Sequence, residues 1–249
     1  MEGRVAIVTG ASTGVGRACA AHFAGEGAAV VACARRRENL EALVRDVEAK
    51  GGKAVAVTCD VAREADIDRS VETALERFGR IDILANIAQG GTDDLTDLLA
   101  ATPERVLYAF TTGPLQSLLF MQKCFPHMKS RSYGRIINTS SGALMSGAPG
   151  LAAYEMAKGA IMALSRNASQ EWGQFGIVTN TFLPLIRTEH FLESRFGAYE
   201  DHLVAQNPCR RIGDPYTDCA PVLAFLASEA AGYVNGQAIA IDGGYRLIA

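Results

Sequence analysis

The chain has 249 residues, 49% of them hydrophobic and 20% charged, with a formal net charge of −3 at pH 7. This is ordinary globular composition, and the acidic balance speaks against a nucleic-acid or anionic-membrane partner. The basic run Arg35-Arg36-Arg37 is too short and isolated to change that, and no apolar run approaches a membrane span. The start, Met1-Glu2-Gly3-Arg4, lacks the apolar core of a signal peptide and enters the first strand at once. Cys19, Cys33, Cys59, Cys124, Cys209 and Cys219 are scattered, without a C-x-x-C pair or a cluster with His22, His127, His190 or His202. Reduced structural thiols, a cytoplasmic location and no metal site are therefore expected.

In chain order, Val5-Ala6-Ile7-Val8 is a short apolar run of the kind that forms a buried parallel strand. It leads into Thr9-Gly10-Ala11-Ser12-Thr13-Gly14-Val15-Gly16 and then an Ala-rich helix former from Arg17 to Ala24. Strand, glycine-rich turn and helix amino end together predict a phosphate cradle built from Gly10, Ser12, Thr13, Gly14, Val15 and Gly16. Glycines let backbone approach the ligand, while free N–H groups and the helix dipole favour its negative charge. A second strand, Ala28 to Ala34, ends without a carboxylate and is followed by Arg35 and Arg36. An acid at that point accepts from an adenosine ribose and repels a 2′-phosphate, whereas guanidinium groups suit the phosphate. NADP(H) is accordingly favoured over NAD(H).

An amphipathic stretch from Arg37 to Lys50 precedes a strand over Ala54 to Asp60, and a helix through Phe78 ends near Gly79. A strand over Ile81 to Asn86, a long helical region through Met128 and a strand over Arg135 to Asn138 follow. A helix carrying Tyr154 runs to about Phe175, and strands at Ile177 to Phe182 and Ala238 to Ile241 complete the set. Alternating strands and helices without linker or repeat imply one α/β domain over 1–249, a doubly wound parallel sheet with helices on both faces. The stretch 185–215 has mixed polarity and no strand period, and its place after a strand's carboxyl end makes it a candidate substrate lid.

Tyr154 and Lys158 stand four apart, which places phenol and ammonium on one helix face. A nearby cation is expected to lower the phenol's pKa. T-G-x-x-x-G-x-G followed by Y-x-x-x-K resembles the short-chain dehydrogenase/reductase family, and the resemblance runs from Gly3-Arg4-Val5-Ala6 to Asn235 through Tyr245. The resemblance implies a Rossmann-fold oxidoreductase moving hydride between nicotinamide and a ketone or secondary alcohol. It implies that Ser141, thirteen residues before Tyr154, bonds the reacting oxygen, with Ser140 the competing assignment. Tyr154 is then the general acid or base, and Lys158 tunes it while holding the nicotinamide ribose. By the same resemblance Asp60 and Val61 flank the adenine, and Asn86, Ala88, Pro184 and Thr188 line the rest of the cofactor. A homotetramer or homodimer is implied as well, with apolar residues in 115–121 and 161–164 and the end Leu247-Ile248-Ala249 as material for it.

Three departures from the family pattern are present. Asn86-Ile87-Ala88-Gln89 stands where N-N-A-G is usual, Phe110 stands in place of a helix Asn, and Pro184-Leu185-Ile186-Arg187-Thr188 shortens P-G-x-x-x-T. They motivate an alternative function, a cofactor-binding protein with weak or no turnover. Pro114 has no N–H for the carbonyl four residues earlier, so the Phe110 carbonyl is expected to be free and to bind a water near Lys158.

Overall fold

The computed structural model describes residues 1–90 and 96–246. Its elements run β1 (Val5–Thr9), α1 (Gly14–Gly25), β2 (Ala29–Ala34), α2 (Arg37–Glu48), β3 (Lys53–Thr58), α3 (Glu64–Phe78) and β4 (Ile83–Asn86). They continue as α4 (Pro103–Phe110), α5 (Gln116–Lys129), β5 (Gly134–Thr139), α6 (Ala152–Trp172) and β6 (Ile177–Pro184). Three short helices, α7 (Glu189–Glu193), α8 (Arg195–Ala198) and α9 (Glu200–Gln206), precede α10 (Ala220–Ala227) and β7 (Ala238–Ile241). The strands form one seven-stranded sheet in the order β3-β2-β1-β4-β5-β6-β7, and every neighbouring pair is parallel.

Unbroken apolar runs produce this arrangement, because a strand covered on both faces must be hydrophobic at every position. β1, β2 and β4 are buried from end to end. In β1, Ala6 and Val8 join one core while Val5 and Ile7 join the other, as the two-residue period of a strand requires. The first core is closed by Phe23 of α1, Leu40 and Leu43 of α2, and Leu223 of α10. The second is closed by Ile67 of α3, Phe120 and Met121 of α5, and Ala168 of α6.

From β1 the chain winds outward through β2 to β3, then returns to the other side of β1 with β4. Loops leaving the carboxyl ends of β1 and β4 therefore part in opposite directions and open a crevice. Register levels those ends, pairing Val8 with Ala85, Asn86 with Asn138, and Thr139 with Phe182. At the opposite edge the buried Asp82 accepts from the Val5 amide at 2.9 Å and from Arg80 at 2.6 and 2.7 Å. A cleft of about 530 Å3 also lies at that edge, between Arg4, Lys50, Lys53 and Arg77. None of the expected site residues borders it. Lys50 and Arg77 sit where α2 and α3 end, which answers the partial negative charge of helix carboxyl ends, while Arg4 pairs with Asp82 and Glu229.

Region 185–215 holds α7 to α9 and one parallel bridge between Ile186 and Gly213. Asp60 lies just past the end of β3, not within it. All six thiols are free and all but Cys209 are buried, so Cys209 has no packing role. Among the described residues no helix is long and apolar enough to cross a membrane. Leu247, Ile248 and Ala249 lie outside the described residues.

Candidate active site

Two loops meet at the crevice. Thr9, the last residue of β1, accepts at Oγ1 from the amides of Ile87 at 2.9 Å and Ala88 at 3.1 Å. Gly10 follows with φ of +70°, and a Cβ there would come within 3.0 Å of the Ala88 nitrogen. Ala88 thus borders the cradle through its backbone. A Cβ on Gly16 would fall 2.2 Å from the Gly10 carbonyl, so only glycine lets α1 start this close to the strand. Thr13 occupies the N-cap of α1, but its side chain caps no amide. The Gly14 amide instead donates to Glu189 Oε2 at 3.1 Å, so a carboxylate stands where a phosphate oxygen is expected. That stand-in, with Gly10, Gly14, Val15 and Gly16 around it, fits the pyrophosphate of a nicotinamide dinucleotide.

Ala34 closes β2, and the two cations after it part company. Arg36 donates to Ser12 Oγ at 3.1 Å and to Thr13 Oγ1 at 2.7 Å, so it braces the cradle from its rim. Arg35 is exposed beside it. Asp60 accepts from the Ala62 amide at 3.1 Å, turning the chain past β3, and Val61 packs on the second core.

The reacting groups come from the end of β5 and the first turns of α6. Adjacent serines face opposite ways. Ser140 is fully buried and donates to the Lys158 carbonyl at 3.0 Å, whereas Ser141, whose Oγ accepts from the Ala143 amide at 3.2 Å, stands close enough to the Tyr154 phenol to favour its anion. Ser140 is thereby a packing residue and Ser141 the one next to the phenol. Lys158 is 2% exposed; its Nζ donates to the Thr139 carbonyl at 2.9 Å and lies 5.4 Å from the Tyr154 ring centre. Burial pushes the Lys158 pKa down to about 7. It pushes the phenol above its usual value, and the Ser141 contact opposes this only in part. The expectation that Lys158 lowers the phenol's pKa is thus corrected. Desolvation acts on both groups, and the amine faces a carbonyl instead of the phenolic oxygen.

Beyond the phenol is a cavity of about 40 Å3 bordered by Thr96, Ala101, Arg105, Tyr108, Leu151 and Tyr154. Asn86 turns its side chain into the sheet edge, donating to Asn138 Oδ1 at 2.8 Å, and Asn138 donates to Ser165 Oγ at 2.9 Å. Pro184 ends β6 opposite Ile241. Thr188 accepts at Oγ1 from the Phe191 amide at 3.1 Å as the cap of α7, and its methyl lies over Gly14.

The Pro114 expectation fails for a reason of helix geometry. Thr111–Leu115 forms a π turn, in which the carbonyl of Phe110 meets the amide of Leu115 and is not released. The change from i, i+4 to i, i+5 pairing passes over position 114, where proline has no N–H to offer. Gln89 Nε2 donates to the Ala109 carbonyl at 3.2 Å. Sequence reasoning missed this role of Gln89, the bracing by Arg36 and the presence of Glu189 in the cradle. A Pro inside a helix was a usable signal for the first; nothing in the residue order marks the last.

A family model described as enoyl-(acyl carrier protein) reductase matches residues 10–246. The chain is 33% identical to A-factor type gamma-butyrolactone 1'-reductase (1S-forming) of Streptomyces virginiae, covering 98% of this chain and 96% of that one. Among solved structures it superposes on levodione reductase with a TM-score of 0.91 and 29% identity, over 98% of both chains. It superposes equally, at a TM-score of 0.91 with 26% identity over 99% of both chains, on YwfH, an NADPH dependent reductase involved in bacilysin biosynthesis. The chain belongs to the short-chain dehydrogenase/reductase family of oxidoreductases.

Folding lowers the Lys158 pKa from 10.5 to about 7, so between those values the unfolded chain holds more protons at this site than the native one. Stability of the cofactor-free protein therefore rises with pH across that window. In thermal melts from about pH 7 to about pH 10, wild type is expected to gain on Lys158→Met as pH increases. A constant difference between the two would show that Lys158 titrates normally.

Proposed function

We propose that the chain is an NADP(H)-dependent oxidoreductase that reduces a ketone, or oxidises the matching secondary alcohol, at Ser141, Tyr154 and Lys158. The observation that carries this reading is the convergence of Ser141 and the Tyr154 phenol beside a buried lysine, at the strand ends next to the cradle. The bound cofactor supplies the hydride. Ser141 hydrogen-bonds the substrate oxygen and orients it toward the phenol. Tyr154 gives that oxygen a proton in reduction and takes one in oxidation. Burial raises the phenol's pKa, so in the cofactor-free protein the proton is held more firmly than on a free phenol. Lys158, fastened to Thr139, faces the ribose of the nicotinamide end. Gly10, Gly14, Val15, Gly16 and Ala88 offer backbone to the pyrophosphate half, with Asp60 and Val61 beside the adenine. Asn86, Pro184 and Thr188 border the nicotinamide end. Arg35 takes the 2′-phosphate, while Arg36 holds Ser12 and Thr13 in place. The carbonyl substrate places its reacting oxygen beside Ser141 and Tyr154.

Tyr154→Phe removes one proton donor and little cofactor contact. It is expected to lower kcat at least about a hundredfold while NADPH affinity stays within a small factor. Retention of more than a tenth of wild-type kcat would mean that another group donates the proton.

Arg35 sets cofactor choice. NADPH is expected to bind more tightly than NADH, and Arg35→Ala to remove about one to two decades of that preference. Dissociation constants for both cofactors in both proteins decide the matter, and equal wild-type affinities would overturn the NADP(H) assignment.

Leu107 of α4, Leu115 of the π turn and Met156 of α6 are 65%, 46% and 53% exposed. Covering them supports assembly into a homotetramer, or failing that a homodimer, with two-fold interfaces. Light scattering is expected to give one of those masses; a monomer at micromolar concentration would reject the assembly.

A further inference from the structure

The carboxylate in the cradle belongs to the lid. Glu189 opens α7, and its Oε2 takes the Gly14 amide across 175 positions of sequence at 3.1 Å. Its neighbour Thr188 presses on the same glycine: a Cβ on Gly14 would meet Thr188 Cγ2 at 3.1 Å and Cβ at 3.2 Å. Two consecutive lid residues thus cover the ground that the pyrophosphate needs. The rear of the lid is held elsewhere. The Arg187 amide donates to the Gly213 carbonyl at 2.7 Å, its Nε donates to Glu200 at 2.8 Å, and Ile186 pairs with Gly213. Thr188 and Glu189 form the leading edge in front of that anchor.

We propose that Glu189 is an internal substitute for the cofactor pyrophosphate, an affinity-determining residue that holds the lid's leading edge on the cradle until the dinucleotide displaces it. The inference rests on the reading that this chain binds a nicotinamide dinucleotide. A carboxylate and a phosphate oxygen make the same demand on a helix amino end, an N–H donor and the positive end of the dipole. They cannot both occupy the Gly14 amide. Cofactor affinity is then the intrinsic affinity scaled by the fraction of molecules in which Glu189 has let go. Displacement of Glu189 also frees the Thr188 edge, so arrival of the cofactor and movement of the lid become one event. Glu189 is exposed, so its hold is modest and the cradle opens readily.

The test is calorimetric titration of wild type, Glu189→Gln and Glu189→Ala with NADPH, ADP and adenosine 2′-monophosphate. Both variants are expected to bind NADPH and ADP roughly two- to fivefold more tightly than wild type, the range for one surface charge at a helix end. Adenosine 2′-monophosphate, which lacks the pyrophosphate, is expected to bind all three proteins alike. Unchanged or weaker binding of NADPH and ADP by the variants would overturn the role of Glu189, as would equal tightening toward adenosine 2′-monophosphate. Absence of NADPH and ADP binding in every protein would instead overturn the dinucleotide reading itself, and this inference with it.

Discussion

A lysine at 2% exposure is expensive to bury, and the site is arranged around that cost. Lys158 is fastened at both ends of the residue. Its Nζ donates to the Thr139 carbonyl, and its own carbonyl accepts from Ser140. These two bonds fix α6 to the carboxyl end of β5. Tyr154 lies one turn earlier on the same helix and Ser141 one residue beyond Ser140, so both follow once Lys158 is in place. Desolvation that lowers the amine's pKa to about 7 also raises the phenol's, and one environment shifts both.

The sheet connects this cluster to the cradle. Thr9 ties the loop after β1 to the loop after β4 through two amide bonds to one hydroxyl. Thr139, which holds Lys158, donates from its own hydroxyl to the Asn86 carbonyl at 2.8 Å. The backbone of β4 thus has the cradle on one side and the lysine on the other. Asn86, Asn138 and Ser165 continue the tie into α6. This polar chain holds the two halves together although Asn86 Oδ1 is buried without a partner among the described residues.

What was legible in the residue order were the features governed by local rules. The glycine-rich turn, the four-residue spacing of Tyr154 and Lys158, and the apolar runs that split between two cores each follow from neighbouring residues alone. Spacing also favoured Ser141 over Ser140, and the reason is now physical: adjacent residues at a strand end point to opposite sides. The direction of the phenol's shift was not legible, because it depends on how much water is excluded, and no motif encodes burial. Arg36 was expected to help with a phosphate, yet its guanidinium reaches back to Ser12 and Thr13, a contact made only when β2 lies beside β1. Glu189 was invisible for the same reason on a larger scale, since the chain must fold before α7 meets the first helix.

The departures from the family pattern behave as one unit and not as separate losses. Pro114 removes an amide from the helix, and the chain answers with a wider turn whose i, i+5 pairing passes over that position. Gln89 donates to the Ala109 carbonyl from the loop after β4. Its bulk is accommodated because residue 113 is glycine: a Cβ there would lie 2.6 Å from Gln89 Oε1. Taken singly, Gln89 in place of glycine looks like an obstruction and Pro114 like a break. Together they leave a helix that turns at the crevice, with Thr112 Oγ1 near enough to accept from the Gly90 amide at 3.2 Å. The Gln89 amide thus ties the loop after β4 to the helix that turns at Pro114, and the two departures from the family pattern meet in one contact.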